Sequence, residues 1–364
     1  MTAAVTAGHG APFNLVNLHT GPLGQDEILV RIAATGVCQT DAHSRNGDML
    51  VPMPAVLGHE GAGVVQTTGS AVTAVSPGDH VALTFPSCGR CRPCLAGSPA
   101  NCLHGFRLSF GCARADGTSA YVQAGVHGHF FGQSSFATFA RATERNVIKI
   151  DEEMPLALAG PLGCGVQTGA GAVLNSLQVT PGSSLAIFGT GAVGLSAVMA
   201  ATIAGASTIV AVDVNDGRLR LAEELGATHT VNGRDDDVGK SLRSLAPDGL
   251  DYVIEITGLP DMLALAVDCV GPMGTAGLVG GAPAGTTAAI DMNRLLNGGR
   301  RVHGIAQGDS IPHIFIPKLV EFYRAGRLPL EKIVKTYEMA EINEAFEDAA
   351  RGEAIKPVLT MPAS

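Results

Sequence analysis

Positive charge is scarce in this sequence. Its 364 residues carry 24 Lys and Arg against 33 Asp and Glu, a formal charge of −9, with no long basic run. Nucleic-acid binding draws most of its affinity from basic side chains that neutralise phosphates, so no nucleic-acid partner is expected. Charge of either sign is sparse, at 16% against 46% hydrophobic residues. A disordered chain has the opposite balance. At roughly 100–200 residues per domain, the length suggests two domains. Met1 to Phe13 has neither the basic start nor the continuous apolar stretch of a secretion signal, and the expected location is the cytoplasm. From Met154 to Val212 charge is missing altogether. A membrane span needs about 20 apolar residues, but glycines and Pro181 interrupt this stretch repeatedly. A buried parallel strand followed by a packed helix has the same composition, so no membrane span is expected.

Eight cysteines are present: Cys38, Cys88, Cys91, Cys94, Cys102, Cys112, Cys164 and Cys269. Without an export signal, and with four of them in one short stretch, metal ligation is a better reading than disulfides. Cys88-Gly89-Arg90-Cys91-Arg92-Pro93-Cys94 is followed by Cys102. Four thiolates so spaced suit a tetrahedral zinc. An iron–sulfur cluster accepts similar spacing, but the surrounding residues favour zinc. With all four positions cysteine, no place is left for water or substrate, so this ion is expected to be structural.

The pattern changes near residue 165. Before it lie short strand-like pieces broken by Gly and Pro: Glu27–Ala33, Gly61–Thr67 and Asp79–Leu83. After it, strands Ser184–Phe188, Ser207–Asp213, Thr228–Val231, Tyr252–Ile256 and Ala276–Val279 alternate with helices Ala192–Ala204, Asp216–Leu225, Val238–Leu245 and Asp261–Cys269. That alternation predicts an α/β fold with a doubly wound parallel sheet. The tail is expected to hold helices Ile314–Ala325 and Glu341–Arg351 and a last strand, Pro357–Thr360.

Ser184–Phe188 runs into Gly189-Thr190-Gly191-Ala192-Val193-Gly194, and the next strand ends in Asp213. This strand–glycine loop–helix context is a dinucleotide fingerprint. Gly189 permits a tight turn, Gly191 lets a pyrophosphate approach the helix N-terminus, and Gly194 allows close helix–strand packing. Asp213 is expected to accept from the adenosine ribose hydroxyls, which favours NAD over NADP.

Three further contexts stand out: Gly36-Val37-Cys38-Gln39-Thr40-Asp41-Ala42-His43, Gly58-His59-Glu60-Gly61-Ala62-Gly63 and Gly163-Cys164-Gly165. With the four-cysteine stretch, they resemble the zinc-containing medium-chain dehydrogenase/reductase family over nearly the whole chain. The resemblance implies a GroES-like irregular β catalytic domain with a zinc lobe (1–165), an NAD-binding Rossmann domain (166–305) and a segment returning to the catalytic domain (306–364). It implies two zinc ions per subunit, the second held by Cys38, His59 and Cys164 with a fourth position open to water or alcohol. A cysteine rather than a glutamate at 164 points to the alcohol dehydrogenase branch.

By position, the resemblance gives Asp41 the hydrogen bond to His59 and places Glu60 behind the metal. Thr40 would contact the alcohol, and His43 would end a proton relay running from it through the cofactor ribose. Arg218 would lie near the adenosine ribose, Thr168 and Val193 against the nicotinamide, and Lys356 on the pyrophosphate. Gln39 departs from the Arg or His common there, and a neutral amide would forgo one charge-assisted bond to the pyrophosphate. A homodimer or homotetramer is expected.

Tryptophan is absent, and twelve Phe and four Tyr are the only aromatic residues. Eight of these fall in one stretch: Phe85, Phe106, Phe110, Tyr121, Phe130, Phe131, Phe136 and Phe139. The family's substrate cleft draws on this half of the chain. An aromatic-lined pocket would suit a benzyl-type or allylic alcohol, although aromatic residues also pack cores. The Gly160–Gly169 and Phe130–Phe136 stretches look like segments of bacterial aryl-alcohol dehydrogenases. NAD-linked oxidation of such alcohols to aldehydes is therefore the expected function. The alternatives are a thiol-dependent formaldehyde dehydrogenase of the same family, a zinc-free quinone reductase, and a non-catalytic zinc-binding scaffold. The first needs a cationic patch that the sequence does not present. The second has no use for the three ligand contexts, and the third has none for Thr40, His43 and Asp213.

Overall fold

A computed structural model describes residues 1–114, 116–123, 125–234 and 237–362. The chain divides into two compact units: Met1–Cys164 with Ile311–Arg324 and Leu330–Ser364, and Gly165–Ser310 with Ala325–Pro329. The expected boundaries at 165 and 305 thus fall at 164 and 310. Within the tail, Ala325–Pro329 joins the second unit, where the Arg327 guanidinium donates to Ile203 O at 3.1 Å.

In the first unit the chain forms β1 (Thr2–Thr6), β2 (Phe13–Asn17), β3 (Glu27–Gly36), β4 (Ala55–Val56), β5 (Glu60–Thr68), β6 (His80–Leu83), β7 (Phe139–Thr143) and β8 (Val147–Lys149). In the second it forms β9 (Ser184–Phe188), β10 (Thr208–Asp213), β11 (His229–Asn232), β12 (Leu250–Glu255), β13 (Val270–Leu278) and β14 (Arg301–Gly304). The chain then adds β15 (Val334–Glu338) and β16 (Lys356–Thr360) to the first.

β3 carries Ile28, Val30 and Ile32 inward at alternate positions, the period of a strand with one buried face. It lies inside a sheet ordered β15-β16-β3-β5-β6-β8, with β7 also paired to it. The second unit has a six-stranded parallel sheet ordered β11-β10-β9-β12-β13-β14. Numbered by chain order within the unit, that is 3-2-1-4-5-6, the Rossmann order, in which ligands bind at the carboxyl ends of the strands where the order reverses, here β9 and β12. Leu185 to Phe188 of β9 are wholly buried, as a central parallel strand requires. The uncharged stretch from Met154 resolves into short helices, β9, helix Ala192–Ala204 and the start of β10. Among the described residues, no single helix is long and apolar enough to cross a membrane.

Glu27, which opens β3, is a charge hub formed by partners distant in the chain. Its carboxylate accepts from Gly24 N at 2.7 Å, Arg114 Nε at 2.7 Å and Arg141 Nη1 at 3.0 Å. Burial alone would raise its pKa, but the Arg114 hydrogen bond and the Gly24 N–H outweigh that and hold it below the usual 4.5. A depressed carboxylate stabilises the fold above its ordinary pKa and ceases to as pH falls through the folded value. Glu27→Gln is expected to cost about 3 kcal/mol at neutral pH by leaving buried guanidinium charge uncompensated. Urea titrations should show that gap shrinking below about pH 4, the ordinary carboxylate range. A gap unchanged down to pH 3 would show that charge is not the cause.

Candidate functional site

Cys38 is the N-cap of helix Gln39–Asn46, which follows β3. Asp41, in the first turn of that helix, reaches back to accept from Cys38 N at 3.0 Å. Its other oxygen accepts from Gly58 N and His59 Nδ1, both at 3.0 Å. A ring that donates from Nδ1 presents Nε2 as its free acceptor, and His59 Nε2 is buried with no hydrogen-bond partner among the described residues. An orphaned imidazole nitrogen costs free energy unless something binds it.

What lies around it fits a metal. One ligand atom from each of Cys38, His59, Glu60 and Cys164 lies within 4.8 Å of all the others. A tetrahedral zinc with bonds of about 2.0–2.3 Å needs ligands this close. A hydrogen bond from Cys164, with Lys356 and His59 nearby, holds the Cys38 thiol well below its usual pKa and so favours the thiolate. Thr40 Oγ1 lies 3.9 Å from Cys38 Sγ. His43 is half-exposed on the same helix. Its Nδ1 is 2.8 Å from Asp48 Oδ2 and its Nε2 is 3.4 Å from the Gln39 amide.

Phe131 stacks on the His59 ring at 4.5 Å between centroids, Phe130 meets it edge-on at 5.7 Å, and Phe110 packs on both phenylalanines. Phe136 packs on Phe13 and Phe346, and Phe130, Phe131 and Phe136 share one buried core cluster. Holding Phe131 there demands an unusual backbone: His129, Phe131 and Ser134 all have positive φ. Such conformations cost about 1–3 kcal/mol each and persist only where the surroundings impose them.

The second cysteine group is separate. One Sγ from each of Cys88, Cys91, Cys94 and Cys102 lies within 4.8 Å of the rest, and all eight cysteines are free of disulfides. The backbone N–H of Cys94 lowers Cys91 to about 6, and that of Arg90 lowers Cys88. Backbone donors thus favour thiolates at Cys88 and Cys91, while burial raises Cys94 to about 12; four cysteine sulfurs in one closed set fit a structural zinc.

In the second unit, Gly189 turns with φ of 92°. A Cβ at Gly194 would meet Gly189 O at 1.9 Å, whereas Gly191 has open space beside it. Asp213, at the end of β10, accepts from Thr190 N at 2.7 Å and Thr190 Oγ1 at 2.9 Å. It therefore also holds the glycine loop, a role the sequence did not suggest. Arg218 Nη1 stands 3.9 Å from Asp213, and Arg218 Nε has no partner. Thr168 Oγ1 donates to Gln307 at 3.5 Å.

The chain is similar to known proteins along its length. Residues 24–152 match the alcohol dehydrogenase GroES-like domain, and 192–324 match the zinc-binding dehydrogenase domain. Geraniol dehydrogenase of Castellaniella defragrans is 43% identical over 361 residues, covering 98% of this chain and 96% of that protein. The chain belongs to the zinc-containing medium-chain alcohol dehydrogenase family. Two solved structures agree. The alcohol dehydrogenase zinc-binding domain protein of Burkholderia ambifaria is 51% identical with a TM-score of 0.98, over 100% of this chain and 99% of that one. Benzyl alcohol dehydrogenase of Acinetobacter calcoaceticus is 44% identical with a TM-score of 0.96, over 99% of each.

One residue expected at the cofactor has a protein partner in this alcohol dehydrogenase. Lys356 was expected to reach the cofactor pyrophosphate, but it is 3% exposed. Its ammonium lies 2.9 and 3.0 Å from the two Glu60 oxygens and 3.1 Å from Val37 O. A buried carboxylate demands a partner, and β16 supplies one. Burial raises Glu60 to about 7 despite that lysine. Gly36 makes room for the pair, since a Cβ there would meet Glu60 Oε2 at 1.9 Å. Lys356→Met is expected to cost about 3–5 kcal/mol without cofactor, by leaving Glu60 uncompensated. Lys356→Met with Glu60→Gln should recover part of that in thermal unfolding. Unchanged stability of the single variant without cofactor would restore a purely phosphate-binding role.

Proposed function

We propose that this alcohol dehydrogenase reversibly oxidises primary alcohols of benzyl or allylic type to aldehydes, using NAD and two zinc ions per subunit. The bare His59 Nε2 among the Cys38 and Cys164 thiols, with Phe130 and Phe131 against the same ring, carries this reading. The names of the geraniol and benzyl alcohol dehydrogenases support it, since both denote alcohols with unsaturation beside the carbinol carbon.

Bound zinc supplies Lewis acidity that makes an alcohol hydroxyl easier to deprotonate, and bound NAD accepts the hydride. The protein's part is to position and to move the proton. Cys38, His59 and Cys164 would hold the metal, and Asp41 fixes the His59 tautomer. Thr40, beside the Cys38 sulfur, takes the hydroxyl proton, and His43, steadied by Asp48, passes it to solvent. Glu60, paired with Lys356, stands ready as a fourth ligand. The Phe130 and Phe131 rings exclude water and take the substrate's unsaturated group. In the second unit, Gly189, Gly191 and Gly194 admit the pyrophosphate to the helix N-terminus. Asp213 would hold the adenosine ribose with Arg218 alongside, Thr168 and Val193 would pack on the nicotinamide, and Gln39 would offer the pyrophosphate a neutral donor.

The thiolate sites call for a reducing compartment, which favours the cytoplasm. A homodimer or homotetramer is supported by the exposed edge strand β14, with Val302 exposed on it and Met273 exposed on the neighbouring β13, because open edges are normally covered.

Steady-state NADH formation tests the reading. Benzyl, cinnamyl and geranyl alcohols should exceed ethanol in kcat/KM by about a hundredfold or more, the scale of apolar pocket discrimination. NAD should be preferred to NADP. Equal kcat/KM for ethanol would remove the aromatic and allylic preference, and no turnover of any primary alcohol by zinc-loaded protein would remove the activity.

A further inference from the structure

The segment that carries Phe131 also reaches the metal ligands from behind. Gln133 is buried at 2% exposure, and both ends of its amide are engaged. Its Oε1 accepts from Gly61 N at 3.1 Å, and its Nε2 donates to His59 O at 2.9 Å and to Thr84 O at 3.2 Å. These partners lie where sheet pairing runs out. The register of β5 with β6 ends at Ala62↔Ala82. Buried backbone groups beyond that point still need partners, and the Gln133 amide takes the place of the missing rung.

The connection continues. The Thr84 hydroxyl donates to Gly163 O at 2.8 Å, the carbonyl just before Cys164. One amide therefore ties the backbone of His59 directly and that of Cys164 through Thr84, while Glu60 sits between His59 O and Gly61 N, which the amide holds. The segment itself is pinned on either side of Gln133. Ser134 Oγ accepts from Phe130 N at 2.9 Å and donates to Val56 O at 2.6 Å, and Ser135 Oγ lies 2.7 Å from Thr35 Oγ1.

We propose that Gln133 is a positioning residue whose amide sets the spacing of His59 and Cys164 for the metal. This rests on reading Cys38, His59 and Cys164 as its ligands. The test uses the full-length protein exchanged with cobalt(II), whose visible bands report ligand geometry. A Cys164→Ser control identifies the bands that belong to this site. Gln133→Met removes the acceptor and both donors at similar length, and Gln133→Glu keeps the shape while removing the donors. Both are expected to shift those bands and to speed metal removal by a chelator about tenfold, the scale seen when groups behind metal ligands are altered. The four-cysteine site should keep its metal. If Gln133→Met does not fold, Gln133→Glu decides. Folded variants with wild-type bands and a wild-type removal rate would overturn the inference alone. A wild-type protein lacking bands sensitive to Cys164→Ser would overturn the metal reading and this inference with it.

Discussion

Asp41 is wholly buried and accepts from Cys38 N, Gly58 N and His59 Nδ1, each at 3.0 Å. Two chain segments that bring metal ligands are thereby joined at one carboxylate. Hydrogen bonds to a charged group are worth about 1.5–3 kcal/mol each, and their loss would strand two buried backbone N–H groups. The same contact selects the tautomer that leaves His59 Nε2 bare. Everything the metal site does follows from that choice, because a ring donating from Nε2 could not ligate there.

A second constraint is the cost of charge in a dry interior. Glu60 stands among the ligands at 0% exposure and is matched by Lys356, which arrives on β16 near the other end of the chain. The pair explains why the tail returns to the first unit. It also explains why position 36, opposite the Glu60 carboxylate, is glycine. In the second unit Asp213 grips the Thr190 turn at the carboxyl end of β9.

The sequence made the Rossmann elements legible because each buried strand and amphipathic helix has its own period. Helices Ala192–Ala204 and Val238–Leu245 and strand Ser184–Phe188 match their expected bounds. β14 was not foreseen: Arg301, Val302 and Gly304 are exposed at a sheet edge, so no apolar run marks it. The helix Gln39–Asn46 was hidden for a similar reason, since its residues are almost all polar and its start is set by the Cys38–Asp41 capping contacts. The two candidate ligand groups that folding brings together were legible because cysteine and histidine announce metal chemistry in short contexts. Partners brought together by folding were not: Glu27 with Arg114 and Arg141, Lys356 with Glu60, and Gln133 with His59 are separated by 74 residues or more.

The central claim is that one chain holds two metals in unlike sites, a closed set of four thiols and an open set built round the bare nitrogen of His59. Metal analysis of the purified chain beside a Cys38→Ser, Cys164→Ser double variant tests this most directly. The account predicts two zinc ions per wild-type chain and one in the variant, which keeps its fold through the four-cysteine site. A single zinc in the wild type, or two retained in the variant, would contradict it.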